Sequence, residues 1–194
     1  MITVKRKKDN RVVRAFTHYL ADIPNGVTIK TADLTQKVLL EGTPIGKAEN
    51  GLYGVVKTAT LTAAATAAAT TITVKKGHNF KAGDFVMLTT GGKAYAITAI
   101  AAGATDPNSD DITIETALGL AGKTGDVLLE AASQATGTQS NFKYQPLALT
   151  GDSYDVPNLS NLLVNAWTIA SVYEANIQPL GAAIKAKLTG IQFI

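Results

Sequence analysis

The middle of the chain, residues 71–130, alternates apolar and polar positions between glycine turns. Ile72 and Val74 are separated by one threonine, and Ile112 and Ile114 repeat the same spacing. Side chains two positions apart lie on the same face of a strand, so this spacing predicts strands with one buried face. Such strands, recurring about every 10–15 residues, are typical of a small β-barrel or β-sandwich. The pattern predicts strands at residues 71–75, 85–88, 95–99, 112–115 and 127–129.

One phrase occurs twice in this stretch, as Lys81-Ala-Gly-Asp-Phe-Val86 and as Lys123-Thr-Gly-Asp-Val-Leu128. In each copy a Gly-Asp pair comes directly before an apolar run. Glycine supplies backbone angles that other residues avoid, and aspartate can accept a hydrogen bond from nearby backbone. Both copies are therefore predicted to be tight turns that begin a strand.

The alternating stretch lies between two segments of linker-like composition. Residues 58–70 are rich in threonine and alanine and are expected to be extended, and residues 131–141 are rich in serine, threonine, glutamine and glycine. A strand block between such segments is typical of an inserted domain. We therefore predict an inserted small β-barrel or β-sandwich module at residues 58–139. Residues 1–57 and 140–194 would then form one discontinuous, β-rich domain around it.

Short apolar runs predict a β-meander in the first flanking segment. Residues 27–29 alternate, and continuous apolar runs lie within residues 38–40 and 52–56. An Asn-Gly pair between the last two runs is a strong hairpin signal. Glycine and proline at residues 42–46 predict a turn.

The last segment mixes helical and strand signals. In residues 162–173 an aliphatic stripe at helical spacing competes with alternation of β-branched and aromatic residues, and we favour one long strand. Residues 179–188 predict a helix, because three aliphatic residues repeat at every fourth position after a proline. The apolar residues 191–194 are expected to pack into a core or against a neighbouring molecule, and we favour the neighbour. The whole sequence thus predicts a mainly β fold with a short C-terminal helix.

The composition narrows the possible classes of function. Charged residues make up 17 % of the 194 residues and the net charge is +3, so the chain as a whole is not expected to be a polyelectrolyte binder. The absence of cysteine excludes disulfide frameworks, thiolate metal sites and a cysteine nucleophile. We expect no secretory signal and no membrane span, because no sufficiently long apolar run is present.

The positive charge is concentrated near the N-terminus. Six of the 18 lysine and arginine residues lie within residues 1–14. This segment is either a solvated arm or an arm that binds an acidic surface of protein or nucleic acid. The segment lacks aromatic residues that would stack on bases, which disfavours nucleic acid. The six basic residues are Lys5, Arg6, Lys7, Lys8, Arg11 and Arg14.

No pattern of catalytic or metal-binding residues stands out in the sequence. His18 and His78 are far apart and lack acidic neighbours at metal-ligand spacing. Residues 106–111 lack the glycine and glutamate of a calcium loop, and residues 91–93 lack the rest of a phosphate-binding loop, so both are predicted to be hairpin turns. Trp167 is predicted to be a core anchor. We therefore expect no enzyme, no cofactor and no metal site.

Several stretches resemble one family of viral proteins. Residues 37–47, Lys-Val-Leu-Leu-Glu-Gly-Thr-Pro-Ile-Gly-Lys, and residues 51–57, Gly-Leu-Tyr-Gly-Val-Val-Lys, resemble strands of tailed-phage head-decoration and head-fibre proteins. Residues 172–188 and 191–194 resemble the C-termini of these proteins. The repeated Lys-x-Gly-Asp phrase, with residues 95–100, is similar to a β-module often inserted in them.

The resemblance implies an auxiliary protein on the outer surface of a virion capsid, often a homotrimer near the local three-fold axes. Its partner would be the major capsid protein, with no nucleic-acid or membrane partner, and its role cementing the lattice, displaying a module, or both. A displayed module could bind a host-surface glycan. The candidate capsid or subunit interface consists of the six basic N-terminal residues together with Ile191, Phe193 and Ile194.

Other functions stay open on the sequence alone. A carbohydrate- or cell-surface-binding module would use loops of the central block, yet Tyr95 is the only tyrosine or tryptophan between Tyr53 and Tyr144 that could stack on a sugar. A tail-tube subunit would assemble into rings or tubes. Nucleic-acid binding would depend on the basic segment and would show a steep salt dependence.

Overall fold

The computed structural model describes residues 14–158 and 160–194. Strands make up 41 % and helices 7 %, which confirms the predicted mainly β fold. The described residues contain sixteen strands: β1 (Phe16–Asp22), β2 (Val27–Ile29), β3 (Val38–Leu39), β4 (Pro44–Lys47), β5 (Tyr53–Val55), β6 (Thr58–Thr60), β7 (Thr71–Lys75), β8 (Phe85–Met87), β9 (Tyr95–Ala102), β10 (Ser109–Ile114), β11 (Val127–Ala131), β12 (Ala148–Thr150), β13 (Tyr154–Asp155), β14 (Leu162–Val164), β15 (Ala166–Val172) and β16 (Ile191–Phe193). They also contain one α-helix, α1 (Ala182–Lys185), and 3-10 turns at Thr31–Asp33, Glu49–Gly51 and Glu174–Asn176.

Eight strands form a large sheet in the order β1-β15-β12-β4-β5-β2-β14, with β16 also paired to β15. All eight come from residues 16–55 and 148–193, on either side of the predicted insertion. One side of β15 pairs with β1, and its other side pairs with antiparallel β12 and parallel β16. β3 and β13 form a separate two-stranded sheet.

Six strands from residues 58–131 form a smaller sheet in the order β6-β11-β8-β9-β10-β7. Its first and last strands approach each other, because a bridge joins Leu61 to Val74 and Thr62 N donates a hydrogen bond to Thr73 O at 3.0 Å. The sheet therefore curls into a barrel-like module. The alternation seen in the sequence sets its interior, since Ile72 pairs with Ile112 and both are buried.

The two Gly-Asp turns have the predicted geometry. Gly83 and Gly125 have φ angles of 89° and 93°, which lie in the left-handed region that favours glycine. Asp84 Oδ2 accepts a hydrogen bond from the backbone N of the lysine three residues earlier at 3.0 Å, and Asp126 Oδ2 does the same at 2.7 Å. Each aspartate thus closes a turn that leads into β8 or β11.

The two sheets share a hydrophobic core. One apolar cluster lies inside the barrel-like module and another lies against the large sheet. A third cluster contains Leu149 and Val172 from the large sheet, Met87 and Leu129 from the module, and Ile184 of α1. The predicted division at residues 58–139 follows the sheets, but whether that segment is an independent domain stays a prediction.

The predicted hairpin turn at residues 106–111 is shorter than expected, because β10 begins at Ser109, which pairs with Lys75 of β7. Two further predicted loops also contain strands. Residues 42–46 were expected to form a turn, yet β4 covers most of them, because Gly46 lets β4 pack directly on the backbone of Gln145, where a Cβ atom would overlap. Residues 58–70 were expected to be a linker, yet β6 pairs with β11 and belongs to the module. Composition misled in both places, since glycine and threonine here serve close packing.

Two predictions in the last segment were also wrong in extent. The expected strand at residues 162–173 is two strands interrupted at Asn165, because β14 pairs with β2 whereas β15 pairs with β12 and β1. The expected helix at residues 179–188 is helical only over α1. Its aliphatic face is nevertheless buried, and the chain then turns so that Gly190 lies against the backbone of Thr168 and β16 can begin.

β1 was not predicted from the sequence. Its burial pattern explains the omission, because only Phe16 of its seven residues is fully buried. Without alternation there is no local signal for a strand. Pairing with β15 alone defines this element.

Gly54 provides a test of the close packing in the large sheet. A Cβ atom at this position would overlap the ring of Tyr144, whose hydroxyl is held by a 2.7 Å hydrogen bond to Asp33 Oδ2. We expect Gly54→Ala to lower the free energy of unfolding by about 1–3 kcal/mol, measured by urea denaturation. Gly137→Ala is the control, because a Cβ there meets no atom within 4 Å. Equal denaturation midpoints for the two variants would contradict the packing argument.

Candidate interaction surface

The beginning of the described chain and its C-terminus meet at one edge of the large sheet. Ala15 O accepts a hydrogen bond from Tyr173 N at 2.8 Å, and Ile194 O accepts one from Glu174 N at 3.0 Å. Arg14 O accepts a further bond from Asn176 Nδ2 at 3.1 Å. The residues that follow β15 therefore hold both ends of the described chain.

The outer side of β15 and β16 at this edge carries three exposed apolar side chains that no residue within 14–158 and 160–194 covers. Ala170 and Val172 point into the core, so Ile169, Ser171 and Tyr173 lie on the opposite face. Ser171 pairs with Gln192 of β16, and their side chains form a 3.1 Å hydrogen bond. Ile169 is 45 % exposed, Tyr173 48 % and Ile194 53 %. We call the surface formed by Ile169, Ser171, Tyr173, Gln192 and Ile194 the terminal face.

β1 borders the terminal face and pairs with β15 alone among the described strands. Its backbone is thus open to a further strand on the other side. Leu20 is 73 % exposed on this strand. Tyr19 packs between Phe16 and Trp167, with ring centroids 5.1 Å and 4.6 Å away. Trp167, which was predicted to be a core anchor, is half-buried at the edge of the shared core.

The predicted interface residues differ in solvent exposure at this edge. Ile191 is 6 % exposed and belongs to the chain's own core, and Phe193 is half-buried against it. Lys185 Nζ lies 5.6 Å from the centroid of the Phe193 ring. Arg14 and Ile194 are exposed. The expectation that the tail packs against a neighbour stays a prediction. Ile194, which is 53 % exposed, is available for such a contact, whereas Ile191 is buried in the core.

The other five basic residues lie outside the described part of the chain. These residues are Lys5, Arg6, Lys7, Lys8 and Arg11. They precede Arg14 directly in sequence, so the basic segment joins the described structure beside the C-terminus. Sequence reasoning selected the two ends separately, and the structure brings their attachment points together.

A cluster of buried charges was missed by sequence reasoning. The side chain of Lys57 is 0 % exposed, and its Nζ lies 2.6 Å from Asp84 Oδ2 and 3.3 Å from Glu130 Oε1. Lys143 Nζ contacts the same Glu130 oxygen at 3.0 Å and lies 3.8 Å from Asp33 Oδ2. These residues connect the two sheets. No local signal marks Lys57 as buried, since a lysine that ends an apolar run is usually solvated.

Burial and charge act differently on the groups of this cluster. Burial raises the pKa of Glu130, and this effect outweighs the opposing charges of Lys57 and Lys143. Burial would also raise the pKa of Asp33, but the hydrogen bond from Tyr144 and the nearby lysine charges together lower it. The neighbouring carboxylates raise the pKa of Lys143 although burial opposes this.

The two histidines are placed differently. His18 is exposed on β1. His78 is a packing residue, because its side chain is 6 % exposed, its Nδ1 accepts a hydrogen bond from Phe80 N, and its Nε2 lies 3.4 Å from Asp110 Oδ2. Burial lowers the pKa of His78 despite the nearby Asp110 carboxylate.

The described residues offer little for small-molecule chemistry. An apolar cleft of about 280 Å³ lies on the module, and its lining includes Leu88, Leu118, Leu120 and Lys93 but no aromatic side chain. Within residues 14–158 and 160–194, no group of three or more histidine or acidic side chains could hold a metal ion. None of the helices in the same ranges is long and apolar enough to span a membrane.

No family model, curated protein or solved structure matches the chain.

Asp33 predicts part of the pH dependence of stability. Its pKa is lowered in the folded chain, so its contribution is fully present above the ordinary aspartate pKa and is lost as the pH falls through the lowered value. We expect Asp33→Asn to cost about 1–3 kcal/mol near pH 7 and less near pH 3, measured by urea denaturation. The raised pKa of Glu130 changes the free energy of unfolding with pH in the opposite direction. The free energy of unfolding of the variant is therefore compared with that of the wild type at each pH.

Asp155→Asn is the matched control, because Asp155 is exposed on β13. This variant should follow the wild type at both pH values. A constant difference between wild type and Asp33→Asn across the pH range would contradict the assignment to the charge of Asp33.

Proposed function

We propose that this protein is a structural virion protein that binds the outside of a tailed-phage capsid and stabilises the lattice of the major capsid protein. The observation that carries this proposal is the terminal face, where Ile169, Tyr173 and Ile194 are exposed among the described residues. This face lies where the basic segment joins the described chain. An exposed apolar surface next to an open strand edge is suited to a protein partner. The family resemblance of the sequence points to the same class of partner.

Binding would combine two kinds of contact. Ile169, Tyr173 and Ile194 would lose apolar surface to the neighbouring subunit, and the residues from Lys5 to Arg14 would bind acidic capsid surface. Each contact is small, but one auxiliary molecule that touches several capsid subunits gains from multivalency. We propose a homotrimer near the local three-fold axes, as the resemblance implies, with the module as a possible display surface.

A glycan-binding role for the module has less support. The apolar cleft beside Leu118 has no aromatic side chain on which a sugar ring could stack. The mainly β architecture and the shared core suit a rigid structural subunit. The observed features therefore support lattice binding more than they support glycan binding.

Particle stoichiometry tests the proposal directly. Quantitative mass spectrometry of purified virus-like particles from the source culture would count this chain against the major capsid protein. We expect a ratio near one to one, because a lattice-bound auxiliary protein repeats with the capsid subunits. A handful of copies per particle would instead indicate a vertex or tail component, and absence from particles would overturn the proposal.

Substitutions on the terminal face test the apolar contact. We expect Ile169→Thr to reduce capsid occupancy by about tenfold, because the lost apolar burial contributes about 1–2 kcal/mol. Leu163→Thr is the matched control, because Leu163 is 63 % exposed on β14 at the opposite end of the same sheet. Equal occupancy for both variants in a sedimentation assay would exclude the terminal face as the contact surface.

The basic segment has its own test. Replacing Lys5, Arg6, Lys7 and Lys8 by glutamine should weaken capsid binding, and the loss should shrink as salt is added because the interaction is screened. Unchanged occupancy at physiological salt would exclude the electrostatic contact while leaving the apolar one in place.

A further inference from the structure

The buried amine of Lys57 is a reactive group that the proposed function does not use. Its side chain is 0 % exposed, and the side chains of Asp84 and Glu130 around it are 5 % and 1 % exposed. A lysine amine, a carboxyl group and a second carboxyl group thus meet in a buried site of the module. These are the components of an amide-forming reaction: a nucleophile, an electrophile and a group that transfers protons.

We propose that Lys57 and Asp84 are joined by an intramolecular amide bond, which the folded chain forms by itself with Glu130 as the proton-transfer group. The inference is independent of the virion role.

The distance between the reacting groups is short. Nζ lies 2.6 Å from Asp84 Oδ2, and a carboxyl C–O bond is about 1.2 Å long, so Nζ is within about 3.9 Å of the Asp84 carbonyl carbon at any angle. Reacting atoms held near contact distance can gain several orders of magnitude in rate over free reactants. An amine and a carboxylic acid that do not react in dilute solution can therefore react here.

Backbone hydrogen bonds fix all three residues. Lys57 O accepts a bond from Glu130 N at 3.1 Å, and Asp84 O accepts one from Ile97 N at 2.8 Å. Asp84 Oδ2 also accepts the bond from Lys81 N that closes its turn. The backbones of the three residues can therefore not move apart without breaking these hydrogen bonds.

The surroundings favour the uncharged reactants. Val86 and Leu128, two positions along the chain from Asp84 and Glu130, are each 0 % exposed and belong to the apolar cluster inside the module. An apolar environment makes two buried ions costly relative to a neutral amine and a neutral acid. Transfer of a proton from Nζ to the Asp84 carboxylate gives that neutral pair, which is the form that can react.

The reaction balances without any further reagent. The Nζ lone pair attacks the carboxyl carbon of Asp84 and forms the C–N bond. Glu130 accepts a proton from nitrogen and delivers it to the departing oxygen, the C–O bond breaks, and one water leaves. Oδ2 holds the proton received from Nζ, takes the second proton and leaves as the water, and Oδ1 becomes the amide carbonyl oxygen. An ammonium and a carboxylate become one neutral amide and water, so the net charge is unchanged.

Glu130 is suited to the proton-transfer role. Its Oε1 lies 3.3 Å from Lys57 Nζ, and its Oε2 is buried without a hydrogen-bond partner. Burial raises the pKa of this carboxyl, which makes it a better proton acceptor during the reaction. Lys143 at 3.0 Å remains as the counter-charge of Glu130 after Lys57 has lost its own charge.

The repeated turn provides an internal comparison. Asp126 closes the same Gly-Asp turn as Asp84 and accepts the equivalent hydrogen bond from Lys123 N. Asp126 is exposed, however, whereas Asp84 is 6 % exposed and touches Lys57. Turn closure therefore explains the aspartate at both positions, but it does not explain why a lysine is buried against only Asp84.

Mass spectrometry of the purified full chain tests the amide directly. We expect the intact mass to be lower than the sequence mass by the mass of one water. Proteolytic mapping should give a branched peptide that joins Lys57 to Asp84, with no tryptic cleavage after Lys57. A chain at its full sequence mass would overturn the proposal, and so would a water loss that maps to another peptide.

Variants test the roles of the individual groups. Lys57→Met and Glu130→Gln should each be isolated without the water loss, whereas Asp126→Asn should retain it as the matched control. A Glu130→Gln chain that still loses water at the rate of the wild type would overturn the role of Glu130. If the Lys57 and Glu130 variants fail to fold, the branched peptide in the wild-type chain decides the proposal alone.

Discussion

Lys57 lies between β5 of the large sheet and β6 of the module, and its side chain is buried. Much of the structure follows from the need to accommodate this side chain. Isolating a charge from water costs several kcal/mol unless partners are placed around it. For Lys57 these partners are Asp84, in the turn before β8, and Glu130 of β11. The lysine itself directly follows the last apolar residues of the β5 segment. A shift of this segment against the module would therefore separate Lys57 from both partners.

The same junction is reinforced by apolar packing. Met87 and Leu129 of the module lie in one cluster with Leu149 and Val172 of the large sheet. Hydrophobic contact favours association of the two sheets but does not fix their relative orientation. The buried polar groups are satisfied in only one arrangement of their side chains. Together they give a rigid connection between two sheets that pair separately. Such rigidity suits a subunit that transmits contacts within an assembly.

The large sheet is built so that both ends of the described chain come to one edge. β1 and β16, its first and last strands in sequence, lie on opposite sides of β15. The face they border is apolar on the outside because Ile169 and Tyr173 alternate with buried residues. The surface proposed to bind a capsid and the core that connects the module are thus two faces of the same strand. A change in the pairing of β15 would affect both.

Local patterns were sufficient where a residue's neighbours in sequence determine its conformation. Alternation at Ile72 and Ile112 predicted strands correctly, because side-chain direction in a strand repeats every second residue. The Gly-Asp turns at Asp84 and Asp126 were also correct, since both the φ angle and the closing hydrogen bond are local. The errors at Gly46 and Asn165 arose where a distant segment decides: Gly46 packs on the Gln145 backbone, and Asn165 marks a change of neighbouring strand.

The sequence by itself determined that the chain is mainly β, where most of its strands lie and which turns begin them. Only the tertiary structure decided that Lys57 is buried, that Ile191 belongs to the core while Ile194 is exposed, and that the first described residues lie beside the C-terminal residues. The physical reason is that a periodic pattern specifies which side of a strand is buried but not which strand lies beside it. The charge cluster and the terminal face depend on that second choice, because each combines residues from separate parts of the chain.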